Sequence, residues 1–232
     1  MGSLKTRDYL SFLFYKTVVW IAYHICFFFF RIKIFGREKV LEWKKKNNTS
    51  FIAVARHRSL WDAVFMPIAF GGFKETMMNY ITKEELSCFF RFVPFFQTYF
   101  TFVNRKKPQK SVIEKVINLL EKGINIGIFP EGTTIPEFKS MKRGVLLIIK
   151  KAEQRINKPI PIFPLNIKII QGQYGKPKGK WIDYVLRKVK IELRIGEPIF
   201  IEQLGESIKQ NLSRKNKEEK MIRLMLEQVD QI

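Results

Sequence analysis

The sequence predicts an α/β fold: a mixed, largely parallel central sheet flanked by helices, preceded by an N-terminal hydrophobic membrane-associating helix or helix pair. Three observations predict it. Short apolar, β-rich runs alternate with stretches of helical periodicity. Glycines and prolines punctuate the boundaries between them. The polar residues with chemistry to offer fall just after strand-like runs, as in sheets whose ligands gather at the carboxyl ends of the strands.

The elements follow in order. Residues 9–30, YLSFLFYKTVVWIAYHICFFFF, form an acid-free apolar run interrupted by Lys16 and His24. The run is about the length that spans a bilayer; a monotopic helix or helix pair in the interface is the rival reading. No small-residue cleavage site follows it. Arg31, Lys33, Arg37, Lys39 and Lys44 to Lys46 come next and read as a basic linker ending in an exposed loop, Lys44-Lys45-Lys46-Asn47-Asn48-Thr49-Ser50. By the positive-inside rule this flank faces the cytoplasm. The division expected is an anchoring segment over 1–35 and an α/β domain over 36–232 that closes on an amphipathic helix.

A strand is predicted over 51–55 and a helix from about 60 to 70, ended by Gly71-Gly72. Ser59-Leu60-Trp61-Asp62 has the spacing of a capping box, with Ser59 as N-cap. Short strands are expected at 79–82 and 99–103. Between them lies an aromatic cluster around Pro94, read equally as core or as an apolar wall for a lipid tail. An amphipathic helix over 108–122 carries Val112, Val116, Leu119 and Leu120 on one stripe, with Gly123 at its C-cap. A buried strand at 124–129 ends in Pro130-Glu131-Gly132-Thr133-Thr134. A helix at 142–154, strands at 160–167 and 189–195, and a helix from about 208 complete the chain. The last helix places Ile222, Met225, Leu226 and Val229 on one face.

Composition narrows the function. Of 232 residues, 46% are hydrophobic and 14% aromatic, enough for one full core and too apolar for a disordered chain. The net charge of +21 calls for an anionic partner: nucleic acid, an anionic membrane, or a phosphorylated or acidic substrate. The lysines are dispersed and the aromatics cluster apart from them, against the interleaving of a single-strand platform, so no nucleic-acid partner is expected. The apolar N-terminus instead directs the charge toward a phospholipid membrane. Lys176, Lys178 and Lys180 in a glycine-rich loop are cations for anionic lipid, coenzyme A phosphates or an acidic carrier, or equally a solvated loop. The two cysteines, Cys26 and Cys88, lie among phenylalanines and have no metal-ligand spacing, so no metal is expected.

Four loops follow four strand-like runs and carry His57, Arg105, Glu131 and Pro164. His57 is one of two histidines, and Asp62 stands five positions on, across a predicted helix start. A loop there folds the imidazole back onto the carboxylate, as a general base and its orienting acid require. Arg105 offers a planar fork for phosphate. Gly132 lets backbone amides approach a ligand closely. No serine or cysteine occupies a nucleophile elbow. A base without a protein nucleophile fits a reaction in which a substrate hydroxyl attacks a carbonyl or phosphoryl centre.

Four blocks resemble the glycerolipid acyltransferases, in particular the 1-acyl-glycerol-3-phosphate acyltransferases. They are His57-x-x-x-x-Asp62, Phe102-Val103-Asn104-Arg105, Phe129-Pro130-Glu131-Gly132-Thr133 and Pro159-Ile160-Pro161-Ile162-Phe163-Pro164. Lys83-Glu84-Glu85-Leu86, Lys142-Arg143-Gly144 and Ile195-Gly196-Glu197-Pro198-Ile199 look like the segments that connect them. The resemblance covers about residues 50–200. It implies transfer of a fatty acyl group from an acyl-CoA or acyl-carrier-protein thioester, a co-substrate rather than a cofactor, to the free hydroxyl of a lysophospholipid. His57 is then the catalytic base, oriented by Asp62. Arg105, Glu131, Gly132 and Thr133 bind the acceptor, with Lys106 and Arg143 as further cations. Glu131, repelled by phosphate, holds Arg105 or contacts a hydroxyl. The enzyme would work on the cytoplasmic face of the cell membrane, and an acidic acyl-carrier protein is a candidate partner.

The chain departs from the family pattern at three places. Arg56 precedes the histidine where Asn is frequent, Asn104 precedes Arg105 where an acid is frequent, and Thr134 stands where Arg often follows Gly-Thr. Arg56, Lys106, Lys107 or Arg143 would supply the replacement charge. The departures leave open an acceptor such as glycerol 3-phosphate or another lysophospholipid. A basic protein that binds lipid or nucleic acid without catalysis is the reading from another class, and the intact His57, Asp62, Glu131 and Gly132 stand against it.

Overall fold

The computed structural model describes residues 13, 17, 20, 21, 23–47, 49–57, 61–71, 77–84, 99–104, 110–131, 144–171, 189–206, 208 and 214–232. Their frame is a seven-stranded sheet between two helical layers. The strands are β1 (Arg31–Phe35), β2 (Ile52–Ala55), β3 (Met78–Lys83), β4 (Phe100–Val103), β5 (Asn125–Ile128), β6 (Ile162–Gln171) and β7 (Lys190–Ile195). They lie in the order β1-β7-β6-β2-β5-β3-β4. The block from β6 to β4 is parallel throughout. Only β7 runs against β6, and β1 lies parallel to β7 at the edge. The mixed, mostly parallel α/β sheet expected from the alternation is therefore present.

Strand β2 is the middle strand, and every one of its residues is buried. Its alternation feeds both layers. Phe51, Ala53 and Ala55 join the cluster that holds α2 (Asp62–Ala69). Ile52 and Val54 join the other cluster, which holds α3 (Lys110–Glu121), α4 (Gly144–Ile156), α5 (Ile201–Glu206) and α6 (Arg214–Gln231). A strand buried on both faces reads as a continuous apolar run because neither side meets water.

The stretch read as a basic linker is instead β1 followed by α1 (Arg37–Asn47). Ile32 is buried while Arg31 and Lys33 are exposed, the alternation of an edge strand hidden under its charges. Residues 44–47, expected as an exposed loop, are the last turn of α1. Only Val40 of that helix is buried, so the helical period barely shows. Glu38 in its first turn and three lysines in its last complement the helix dipole. Gly36, at φ 80°, makes the turn between the two elements, and a Cβ there would stand 2.1 Å from the Ile195 carbonyl oxygen. Arg37 donates to the carbonyls of Ile68 and Ala69, satisfying the open end of α2. At the same end Gly71 takes φ 70°, as expected of a C-terminal stop.

Other expectations shift in detail. The buried stripe of α3 is Val116, Ile117 and Leu120, with Val112 only half-buried, so the apolar face is turned from the one first drawn. The C-terminal helix expected from about 208 is α6, which begins at Arg214, and the short α5 before it was not expected; the face of Ile222, Met225, Leu226 and Val229 is buried as expected. Among the N-terminal residues, 23–29 are helical. Cys26 and Phe30 are buried against the sheet, while Trp20, Ile21, Ile25 and Phe28 remain exposed. His24 is exposed, its Nδ1 2.8 Å from the Trp20 carbonyl. Among the described residues no helix is long and apolar enough to cross a membrane. The aromatic cluster at 89–96 and the basic loop at 172–180 lie outside the described residues.

Candidate active site

The parallel neighbours β2 and β5 end on the same edge of the sheet, with Val54 in register with Ile128. The residues that follow them, Arg56 and His57 after β2 and Phe129 to Glu131 after β5, are brought side by side. The alternation of β2 continues past its end. His57 turns toward the layer of α2, and Arg56 toward the layer of α6.

On the first face, His57 Nδ1 lies 3.5 Å from Asp62 Oδ2. Asp62 is fully buried at the start of α2, where a carboxylate suits the positive end of the helix dipole. The distance is that of a close ion pair, yet Nδ1 is buried and makes no hydrogen bond. The contact is too long or too oblique for a formed bond, and a small ring rotation would close it. The imidazole stacks on Phe129, with ring centroids 4.4 Å apart and planes 23° from parallel. That stacking leaves the ring held on one face and restrains the rotation.

The helix carrying Asp62 does not start as expected. Ser59 lies outside the described residues, and Trp61 occupies the cap position with helical φ −65° and ψ −23° and no side-chain cap. Asp62 opens the helix instead of standing third in it. Its place is set by packing: Trp61 and Phe65 both contact Phe30 from the N-terminal segment. Met66 closes onto the sheet at Gly127, where an added Cβ would come within 2.8 Å of its sulfur and 2.6 Å of the Tyr80 ring. Glycine at that point of β5 lets α2 sit low enough to bring Asp62 to the histidine.

On the second face, the contacts are tight. Glu131 accepts the backbone N–H of His57 on Oε2 at 2.7 Å and Arg56 Nη1 on Oε1 at 3.0 Å. Arg56 Nε donates to Asp230 Oδ1 at 2.7 Å, and Nη2 to Oδ2, a bidentate fork. The hydrogen bond donated to Asp230 is the largest influence raising the Arg56 pKa above its ordinary value, aided by the charges of Asp230 and Glu131 against a partly opposing burial.

Three of the residues singled out from the sequence, His57, Asp62 and Glu131, thus converge. Arg105, Lys106, Gly132, Thr133 and Arg143 lie outside the described residues, as does Lys107. Arg56, one of four candidates for a spare phosphate-binding cation, is committed to two carboxylates. Glu131 holds Arg56 and the His57 backbone; its expected partner Arg105 lies outside the described residues. Pro164, placed just past a strand end by the sequence, is inside β6, in register with Val54. Its carbonyl accepts the Gly196 N–H, so its missing donor faces the same side, at the point where β7 ends. Asp230 escaped sequence reasoning altogether. It stands 174 positions from Arg56, on the edge of an ordinary amphipathic helix. The one available signal was Arg56 itself, an arginine needing an acid beside a buried strand.

The chain has counterparts among known proteins. The family profile described as "Acyltransferase" matches residues 31–168, more than half of the chain and all of the strands from β1 to β5. The chain is similar to the 1-acyl-sn-glycerol-3-phosphate acyltransferase of Bacillus subtilis (strain 168), at 26% identity over 169 residues, covering 72% of this chain and 73% of that protein. It is also similar to the 1-acyl-sn-glycerol-3-phosphate acyltransferase of Pseudomonas aeruginosa (strain PAO1), at 27% identity over 143 residues. That second match covers 57% of this chain and about half, 49%, of the relative.

Proposed function

The chain belongs to the acyltransferase family, and from that premise we propose that it is a membrane-associated glycerolipid acyltransferase that acylates 1-acyl-glycerol-3-phosphate to phosphatidic acid. The observation that carries the mechanism is the pairing of His57 with a fully buried Asp62 at the end of the central strand. The names of the two relatives support the acceptor.

With Nδ1 turned to Asp62, Nε2 is the nitrogen left for substrate. It takes the proton of the acceptor hydroxyl as that oxygen adds to the thioester carbonyl carbon. Asp62 keeps the proton of the imidazole on Nδ1 and stabilises the imidazolium. The tetrahedral oxyanion then reforms its C=O, the C–S bond breaks, and the departing thiolate takes the proton from Nε2. The products are an ester and a free thiol, with the histidine returned to its starting state. The thioester is acyl-coenzyme A or acyl-carrier protein, whose shared acyl-thioester chemistry the reaction uses. Arg105, Lys106, Gly132, Thr133 and Arg143 are proposed to bind the acceptor phosphate. Glu131 serves the site by holding the loop that bears His57.

Membrane association on the cytoplasmic face is part of the same reading. The exposed Trp20, Ile21, Ile25 and Phe28 support it, as does the basic flank that follows. Phe30 packs on Trp61, directly before Asp62, which would keep the apolar segment close to the base.

The test is transfer of a labelled acyl group from each thioester to lysophosphatidate, glycerol 3-phosphate and other lysophospholipids. Transfer to lysophosphatidate above the others is expected. Preference for another acceptor would replace the substrate, and transfer to none would reject the activity. Release of the protein into the soluble fraction without detergent would reject the membrane reading.

A further inference from the structure

We infer that Asp230, on the C-terminal helix, is a positioning residue for the catalytic loop, acting through Arg56 and Glu131 on the backbone of His57. The inference rests on the acyltransferase reading for its kinetic consequence, not for its geometry. Asp230 lies well beyond the residues the family profile matches.

The linkage is continuous. Asp230 takes the Arg56 fork on both oxygens. The third guanidinium nitrogen reaches Glu131 Oε1, and the other oxygen of Glu131 holds the His57 N–H. Arg56 is four-fifths covered, and Glu131 more so. Two carboxylates on one guanidinium leave no charge there for a substrate phosphate. The arrangement instead fixes the backbone at the residue that must carry the imidazole. The acid at its far end is firmly presented. Val229 beside it is buried, as are Met225 and Leu226 in the preceding turn. Beyond it, the Ile232 side chain occupies the space that a side chain at Gly196 would need. Asp230 thus reaches Arg56 from a helix docked on the sheet, not from a mobile tail.

The bland alternative is a part-exposed ion pair that adds a little stability and nothing more. The two predict different numbers. Loosening the backbone of a base displaces it from attacking distance, and small misplacements are expensive in rate. In the full-length protein, Asp230→Asn should lower kcat about tenfold while the acceptor KM changes less than about twofold. Asp230→Glu should restore most of the rate, and the melting temperature should stay within a few degrees. Glu131→Gln should lower kcat further, and the double variant Asp230→Asn/Glu131→Gln should be no slower than Glu131→Gln alone, because both act through one path.

A readout independent of turnover comes from the two histidines. In a His24→Gln background, His57 supplies the only imidazole proton signals. Asp230→Asn should shift or broaden them, and Asp230→Glu should bring them back. Unchanged kcat in Asp230→Asn overturns the inference, as do multiplicative losses in the double variant or a rate loss that vanishes when assayed well below the melting temperature. If the wild-type protein transfers no acyl group, the functional reading fails and the His57 signals decide: movement upholds the linkage, and its absence overturns it.

Discussion

Arg56 and His57 leave one strand in opposite directions, and each meets an aspartate from a helix on its own face of the sheet. The two meetings differ. His57 stands 3.5 Å from an acid with no exposure at all, and its Nδ1 makes no hydrogen bond. Arg56 grips Asp230 with a two-pronged fork at an edge where Asp230 is still 41% exposed. A buried acid beside a ring nitrogen with no formed bond suits a group that must change protonation during a reaction. A bidentate pair suits a group that must stay where it is. The contrast separates the base from the brace, although the two residues are neighbours in the chain.

The sharpest way to break this contrast is to remove the ring. His57→Ala should reduce acyl transfer by at least roughly a thousandfold, the range of a general base together with its orientation. Its melting temperature should stay close to wild type, because the buried Nδ1 makes no formed hydrogen bond. Near-normal turnover would end the assignment of a base to this face. Asp62→Asn comes next, at roughly a hundredfold in kcat with KM little changed, since the amide keeps the shape and loses the charge that steadies the imidazolium. An effect on KM alone would move Asp62 from chemistry to binding.

Smaller effects ask whether the placement of α2 sets the loose contact. Arg37→Ala removes the side-chain donor from the carbonyls of Ile68 and Ala69 at the far end of that helix. It should destabilise the protein by about 1–2 kcal/mol in a denaturant titration, the worth of charge-assisted hydrogen bonds at a helix end. A loss of turnover larger than the loss of stability would show that the helix transmits its position to Asp62. Lys39→Ala is the low end of the scale. Lys39 reaches Glu197 at 2.8 Å, but Glu197 is 75% exposed. The change should stay within about 0.5 kcal/mol by the same titration; a larger value would mean that the edge of the sheet matters more than its exposure suggests.

Much of the frame was legible from residue pattern because burial writes itself into periodicity. The short buried runs around Val54 and Ile126 and the alternation around Leu193 read as strands, and the face of Ile222, Met225, Leu226 and Val229 reads as a packed helix. Where charge covered the pattern, reading failed. Arg31 and Lys33 hid an edge strand, and the lysines of α1 hid a helix, because one buried residue in eleven leaves almost no period. Pro164 misled in the other direction. A proline suggests the end of a strand, yet Pro164 is the third residue of β6, its missing donor facing the point where β7 ends.

The sequence by itself determined the alternation that builds the sheet, the histidine and acid five positions apart, and the glutamate after a buried strand. Those are local facts, set by backbone period, turn chemistry and short spacing. Only the tertiary structure decided that β2 and β5 are neighbours, which puts Glu131 under the His57 N–H. It alone decided that Arg56 belongs to Asp230 on the last helix rather than to a substrate. The physical reason is that a strand's order in a sheet, and the side of a docked helix that meets it, follow from how whole apolar faces are buried together. No short window of sequence contains that choice.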